Sequence, residues 1–213
     1  YQDLNLKQKL KKKMGISPDK KIIMFAPTFR SDGEDINNSN LQRSGLEQLN
    51  LLNIDSMLET LHRRFSGEWV LVCRFHYYVD NLIDWVELNK KYNGRIVNGN
   101  TLSDMAQYLY VSDVLITDAS SCFFDYALTM KPCFLFFPDI EYYSKIERGL
   151  YFEISELPFP LSKTNEELLN DIYKFNYEQY KKEVSEFLNK IGNIESGNSS
   201  YKIVSLIVEA LKR

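Results

Sequence analysis

The stretch Ser112–Phe137 reads SDVLITDASSCFFDYALTMKPCFLFF. Two continuous apolar runs, Val114–Thr117 and Pro132–Phe137, have strand length and are bounded by turn residues. Between them Ser121–Thr129 has the length of a short helix. Strand, helix and a second wholly apolar strand make a βαβ unit. Strands apolar on both faces belong in a parallel sheet covered on both sides.

Outward from this block the same alternation continues. KIIMFAP (Lys21–Pro27), WVLVCRF (Trp69–Phe75) and GRIVN (Gly94–Asn98) read as three further strands. Apolar residues three or four apart predict helices over Leu51–Phe65 and Tyr78–Leu88. Thr101, with Asp104 three residues on, reads as the start of a helix over Leu102–Tyr110. Past Pro138 the strand signal fades and three helices are expected: Thr164–Phe175, capped by Thr164 with Glu167; Tyr177–Ile191, stopped by Gly192; and Ser199–Lys212. Five strands alternating with helices give an α/β, Rossmann-like doubly wound parallel sheet. At the N-terminus, residues 1–18 read as a separate Lys-rich helical segment stopped by Gly15, and residues 19–213 as the domain. The polar stretch Ser31–Asn50 reads as a mobile loop.

Composition narrows the function classes. The 26 Lys and Arg nearly balance 29 Asp and Glu, for a net charge of −3, which excludes a strongly basic nucleic-acid module. No apolar run approaches the length of a membrane-spanning helix. The first residue is Tyr1 with no signal peptide after it, so the chain reads as a piece of something longer. Cys73, Cys122 and Cys133 are odd in number, sit in apolar runs and lack CxxC spacing, which points to buried free thiols in a reducing cytosol rather than zinc. Neither a metal nor a cofactor is expected. P-loop, GxGxxG, GxSxG and HExxH patterns are all missing, which argues against an ATPase, a dehydrogenase, a serine hydrolase and a zinc protease.

In an open α/β sheet, ligands bind beyond the carboxyl ends of the strands. At TDASS a buried strand gives way at once to a helix, whose unbonded N–H groups, with the Ser120 and Ser121 hydroxyls, make an anion site. The alternative is that Ser120 only caps the helix and Asp118 closes the turn. His76 and Arg74 end the second strand and suit phosphate binding or acid–base work, or else form an ordinary surface loop. Arg30 and Arg148 have the fork geometry to clamp a diphosphate, or to serve as salt-bridge partners.

These motifs together resemble the CDP-glycerol glycerophosphotransferase family, the teichoic acid polymerases and primases of bacterial walls and their relatives in capsule synthesis. The family's APT(F/W)R, (K/R)xH, SDxLITDYSSxxFDYxxxxKPxxFF and RGxY patterns correspond to Ala26–Arg30, Arg74–His76, Ser112–Phe137 and Arg148–Tyr151. SGNSSYKIV (Ser196–Val204) resembles the family's closing segment. Three positions depart from the pattern: Ala119 in place of tyrosine, Tyr77 where proline is common, and Phe159 where glycine is common. The resemblance implies the C-terminal, donor-binding half of a two-domain GT-B fold, with the N-terminal acceptor domain and its HGTPLK-like motif absent, so that the isolated fragment is inactive. It implies transfer of glycerol phosphate, or a related polyol phosphate, from a CDP donor to a lipid-linked polyol-phosphate or glycan acceptor, releasing CMP at the cytoplasmic face of the membrane. By the same resemblance His76 is catalytic, contacting the donor phosphates, while Thr28, Arg30, Arg74, Thr117, Asp118, Ser120, Ser121 and Arg148 bind the donor. A GT-B glycosyltransferase using a nucleotide sugar is the alternative.

Overall fold

The computed structural model describes residues 3–28, 30, 47, 49–147 and 152–212. Six parallel strands form one sheet: β1 (Lys21–Ala26), β2 (Trp69–Cys73), β3 (Ile96–Asn98), β4 (Val114–Thr117), β5 (Cys133–Phe136) and β6 (Leu161–Ser162), in the order β3-β2-β1-β4-β5-β6. Helices lie on both sides. The expected doubly wound α/β sheet is present. The sixth strand is a correction to the five read from sequence. Two residues are too few to show a period, and β6 exists because Leu161 and Ser162 extend the ladder beside Leu135 and Phe136.

The four central strands are buried on both faces, with Ile22, Ile23, Met24, Leu71, Val72, Leu115, Ile116, Phe134 and Leu135 fully out of water. Burying each such side chain contributes about 1.5–3 kcal/mol, so this layer dominates the stability. Cys73 and Cys133 are buried free thiols within it and Cys122 is a third in the helix after β4, and burial pushes the Cys73 thiol well above its ordinary value.

Local capping decides where the helices begin. The first, α1 (Leu4–Lys13), is capped by Asp3, and Gly15 takes the left-handed conformation (φ +69°) that ends it. Its residue Leu10, with Met14 and Ile16, belongs to the same buried cluster as the sheet, and Lys7 pairs with Asp113 at 2.5 Å. The next helix, α2 (Ile54–Phe65), starts three residues later than the apolar spacing indicates, because Asn53 caps it and Leu51 is exposed. The helix expected over 78–88 is two: α3 (Tyr77–Asp80) and α4 (Trp85–Lys91). Asp84 interrupts it by accepting the Val86 and Glu87 N–H groups as a new N-cap. The helix α5 (Met105–Val111) is capped by Asp104, not Thr101. The Tyr108 hydroxyl accepts the Leu102 N–H at 2.6 Å and holds the preceding residues out of the helix.

Between β4 and β5 lies α6 (Cys122–Ala127), and after β5 comes a single turn, α7 (Ile140–Tyr142), continuing as a π-turn over Tyr143–Glu147. The expected Thr164–Glu167 capping box opens α8 (Asn165–Lys174), and Asn176 caps α9 (Tyr177–Lys190). The last helix, α10 (Ser199–Ala210), has no buried residue among those described. Among the described residues no helix is long and apolar enough to cross a membrane. Helix α2 packs on α8, while α1 and α6 both pack on α5.

Phe134 sits in the middle of β5, fully buried, with its ring 5.3 Å from that of Phe175. Phe134→Ala is expected to cost about 3–5 kcal/mol, the usual cost of emptying an aromatic site. Urea denaturation measures it; a loss below 1 kcal/mol would mean the far layer is not packed as described.

Candidate functional site

The chain runs out through β2 to β3 and then returns to β4 on the other side of β1. This reversal leaves a crevice at the carboxyl ends of β1 and β4, where Ala26 lies opposite Thr117. The loops after β1, β2, β4 and β5 all emerge on this edge because the strands are parallel.

A buried polar cluster closes the crevice floor. Thr117 Oγ1 donates to the Ala26 carbonyl at 2.6 Å. The next residue, Asp118, accepts the Thr28 N–H on Oδ1 and Arg30 Nη2 on Oδ2, both at 2.8 Å. Arg30 also donates from Nε and Nη2 to Asp139 at 2.7 and 3.0 Å, and from Nη1 to the Thr28 carbonyl at 2.8 Å. Its guanidinium carbon lies 4.6 Å from the Tyr143 ring centroid. Arg30 is only 6% exposed and Asp118 only 2%. Burial by itself would lower the guanidinium pKa, but the two carboxylates outweigh it and hold Arg30 charged. Burial raises the Asp118 carboxyl, against the pull of Arg30 and the Thr28 N–H.

Thr28, Arg30, Thr117 and Asp118 are therefore brought together, but as a frame. The Thr117 and Asp118 side chains face the interior. Arg30 has the partners of the salt-bridge reading, Asp118 and Asp139.

Arg74 and His76 follow β2, the neighbour of β1. Arg74 Nη1 donates to the Gly99 carbonyl at 2.7 Å and to Asn100 Oδ1 at 3.1 Å, and its guanidinium lies 4.7 Å from the Tyr108 ring centroid. Gly99 permits this close approach: a Cβ there would meet the Cys73 carbonyl oxygen at 2.6 Å. The arginine thus ties the loop after β3 to the end of β2. His76 occupies the N-cap position of α3, exposed, its ring 4.6 Å from that of Tyr77. Partial burial lowers its pKa below the usual 6.5.

Beyond β4, Ser120 is half-buried and its Oγ accepts the Cys122 N–H at 3.4 Å, a weak cap. Ser121 is exposed, and its hydroxyl makes no capping bond to α6. The structure thus presents Ser120, Ser121 and His76 on the loops flanking β1. Arg148 and Phe29, like the rest of Arg148–Tyr151 and nearly all of Ser31–Asn50, lie outside the described residues.

Asp139 and Tyr143 did not emerge as site residues from the sequence. The available signal for Asp139 was its position directly after the fifth strand run. Tyr143 reads only as one more aromatic until α7 brings it over Arg30. A cavity of about 640 Å³ between the 155–160 segment, α8 and α9 is lined by none of the candidate residues. Among the described residues no group of three or more His, Cys, Asp or Glu side chains gathers as metal ligands.

Comparison with known proteins places this geometry in context. Residues 1–209 match the family model described as CDP-glycerol:poly(glycerophosphate) glycerophosphotransferase. A teichoic acid poly(glycerol phosphate) polymerase of Bacillus subtilis is 35% identical over 204 residues, 94% of this chain and 26% of the relative. Another from Bacillus spizizenii is 33% identical over 197 residues, 92% of this chain and 46% of the relative. Among solved structures, a variant of the wall teichoic acid polymerase TagF soaked with CDPG superposes with a TM-score of 0.73 at 27% identity, covering 99% of this chain and 48% of that one. The chain spans about half the length, or less, of the relatives it matches.

Two outcomes follow from the geometry. Asp118 accepts on both oxygens, so Asp118→Asn must turn an amide donor against the Thr28 N–H or against Arg30. A loss of about 3–5 kcal/mol in chemical denaturation is expected, as for other broken buried pairs; a change within 0.5 kcal/mol would remove the ion pair from its structural role. His76 is expected to titrate below 6.5 when its ring protons are followed by NMR. The native ring then takes up a proton less readily than the unfolded chain. Its contribution to stability is present above pH 6.5 and fades as acid is added, a slope that His76→Ala removes.

Proposed function

The chain belongs to the CDP-glycerol:poly(glycerophosphate) glycerophosphotransferase family, and we propose that it is the donor-binding unit of such a transferase. In this reading residues 19–213 form the C-terminal half of a GT-B enzyme that moves glycerol phosphate, or a related polyol phosphate, from a CDP donor to an acceptor hydroxyl in teichoic acid or capsule synthesis. The observation that carries it is the extent of the family match, which covers every strand end of the crevice at the β1–β4 reversal. A separate acceptor-binding domain, a lipid-linked polyol-phosphate acceptor and peripheral attachment at the inner face of the membrane complete the reading. The names of the relatives support it, since they are polymerases of poly(glycerol phosphate).

The chemistry is an in-line displacement. The acceptor hydroxyl oxygen bonds to the β-phosphorus of the donor, the bond from that phosphorus to the bridging oxygen breaks, and CMP leaves with the electron pair. The hydroxyl proton passes to a base on the acceptor side. Such a reaction needs alignment and charge stabilisation more than covalent participation by the protein. On this chain a His76 ring N–H donates to the diphosphate and stabilises the charge that grows on CMP. Ser120 and Ser121 supply hydroxyl donors from the start of α6. Arg74, pinned to Gly99 and Asn100, fixes the loop that carries His76. Thr28, Arg30, Thr117 and Asp118 hold the crevice open in a fixed shape, and Arg148 adds a further donor-binding group.

Calorimetry is expected to show CDP-glycerol and CMP binding to the chain; binding of UDP-sugars with no cytidine nucleotide bound would replace the CDP-polyol reading by a sugar transferase. In the intact enzyme, His76→Ala is expected to lower transfer about 10²–10³-fold, the usual cost of losing one donor to the developing charge, with the circular dichroism and melting temperature retained. Near-normal transfer would return His76 to an ordinary surface loop.

A further inference from the structure

Asp139 stands at the N-cap position of α7, where an aspartate ordinarily accepts from the first helical N–H groups, yet its side chain makes no capping bond. Its carboxylate turns back to Arg30 and takes two hydrogen bonds, Nε to Oδ2 at 2.7 Å and Nη2 to Oδ1 at 3.0 Å. Such a two-point bridge fixes orientation as well as distance. Arg30 is gripped again one turn later, where its guanidinium lies 4.6 Å from the Tyr143 ring centroid. The Tyr143 N–H in turn donates to the Asp139 carbonyl at 2.9 Å. The segment from Asp139 through the π-turn at Tyr143–Glu147 is thus attached at two points to one buried side chain, which is itself attached to β4 through Asp118. A π-turn is a rare local geometry.

Charge gives the second half of the inference. One guanidinium faces two carboxylates, Asp118 and Asp139, so the cluster carries a net −1. It offers an anionic donor no excess positive charge. The two carboxylates differ in exposure, 3% for Asp118 and 38% for Asp139. Asp118 is locked in the floor, whereas Asp139 sits at the rim, where its loss would free the segment and leave the floor intact.

We propose that Asp139 is a positioning residue of the donor site, acting through Arg30 to fix the 139–147 segment beside the ends of β1 and β4. This rests on the donor-binding reading above. Asp139 need not touch the donor: it sets the wall against which the donor lies.

The test uses the intact enzyme. For Asp139→Ala, KM for CDP-glycerol is expected to rise about tenfold or more with kcat within about threefold, the signature of lost ground-state positioning. Asp139→Glu, which keeps the carboxylate, recovers part of the loss. In an Arg30→Lys background, where the fork to Asp139 is gone but a cation still faces Asp118, Asp139→Ala adds less than about twofold because the two substitutions share one interaction. An equal penalty in both backgrounds, or an unchanged KM, overturns the proposal. Amide hydrogen exchange across residues 139–147 reads the same coupling without donor. Faster exchange there in Asp139→Ala, with β1 and β4 unchanged, supports it, and an unaltered segment overturns it. A wild-type enzyme that ignores CDP-glycerol would sink the donor assignment alone, and exchange would then decide the role of Asp139.

Discussion

Arg30 and Asp118 meet at 2.8 Å beneath the loop after β1, both nearly out of water. Two charges in such a place are costly unless each is fully bonded, and both are. Asp118 satisfies the Thr28 N–H as well as Arg30, and Arg30 reaches Asp139 and the Thr28 carbonyl. The ends of β1, β4 and β5 are thereby joined through one planar cation. Parallel strands end in loops that share no ladder, so this polar tie supplies the rigidity that backbone hydrogen bonding no longer provides. The crevice has a defined floor because the pair cannot be rearranged without exposing a buried charge.

That constraint shapes the chemistry available at the rim. The Arg30 guanidinium is shared by two carboxylates, Asp118 and Asp139, and orders the loops that carry them. His76 and the Ser120 and Ser121 hydroxyls stand on the neighbouring loops, outside that ion-paired cluster. Gly99 and Arg74 make the corresponding arrangement on the other flank, where backbone passes close to backbone and only glycine fits.

Much of the fold was legible in the chain. The apolar runs at Lys21, Trp69 and Val114 are strands close to their expected limits, because a strand buried on both faces leaves a continuous apolar signature. The capping box at Thr164 and the stop at Gly192 appear where their side chains and backbone freedom require. Strand β6 was not legible, since a two-residue strand carries no pattern and forms only because β5 offers it an edge. The break in the helix over 78–88 was hidden for a different reason. Its apolar spacing is helical throughout, and only the Asp84 side chain, capping a new start, divides it.

The site was legible in part. Sequence by itself determined the class of fold and carried, in TDASSCFFDYAL and its flanking motifs, the family to which the chain belongs. It placed Arg30, Asp118 and His76 after buried strands, each with an ordinary structural reading beside the functional one that the family resemblance implies. The partners of Arg30 and Asp118 were decided by the tertiary structure. Arg30 became a buried tie because strand order sets β4 and then β5 beside β1, which brings it Asp118 and Asp139 from 88 and 109 positions away. No local pattern encodes such a meeting. It follows from the reversal of strand order at β1 and β4, which a linear reading implies in general but does not locate atom by atom.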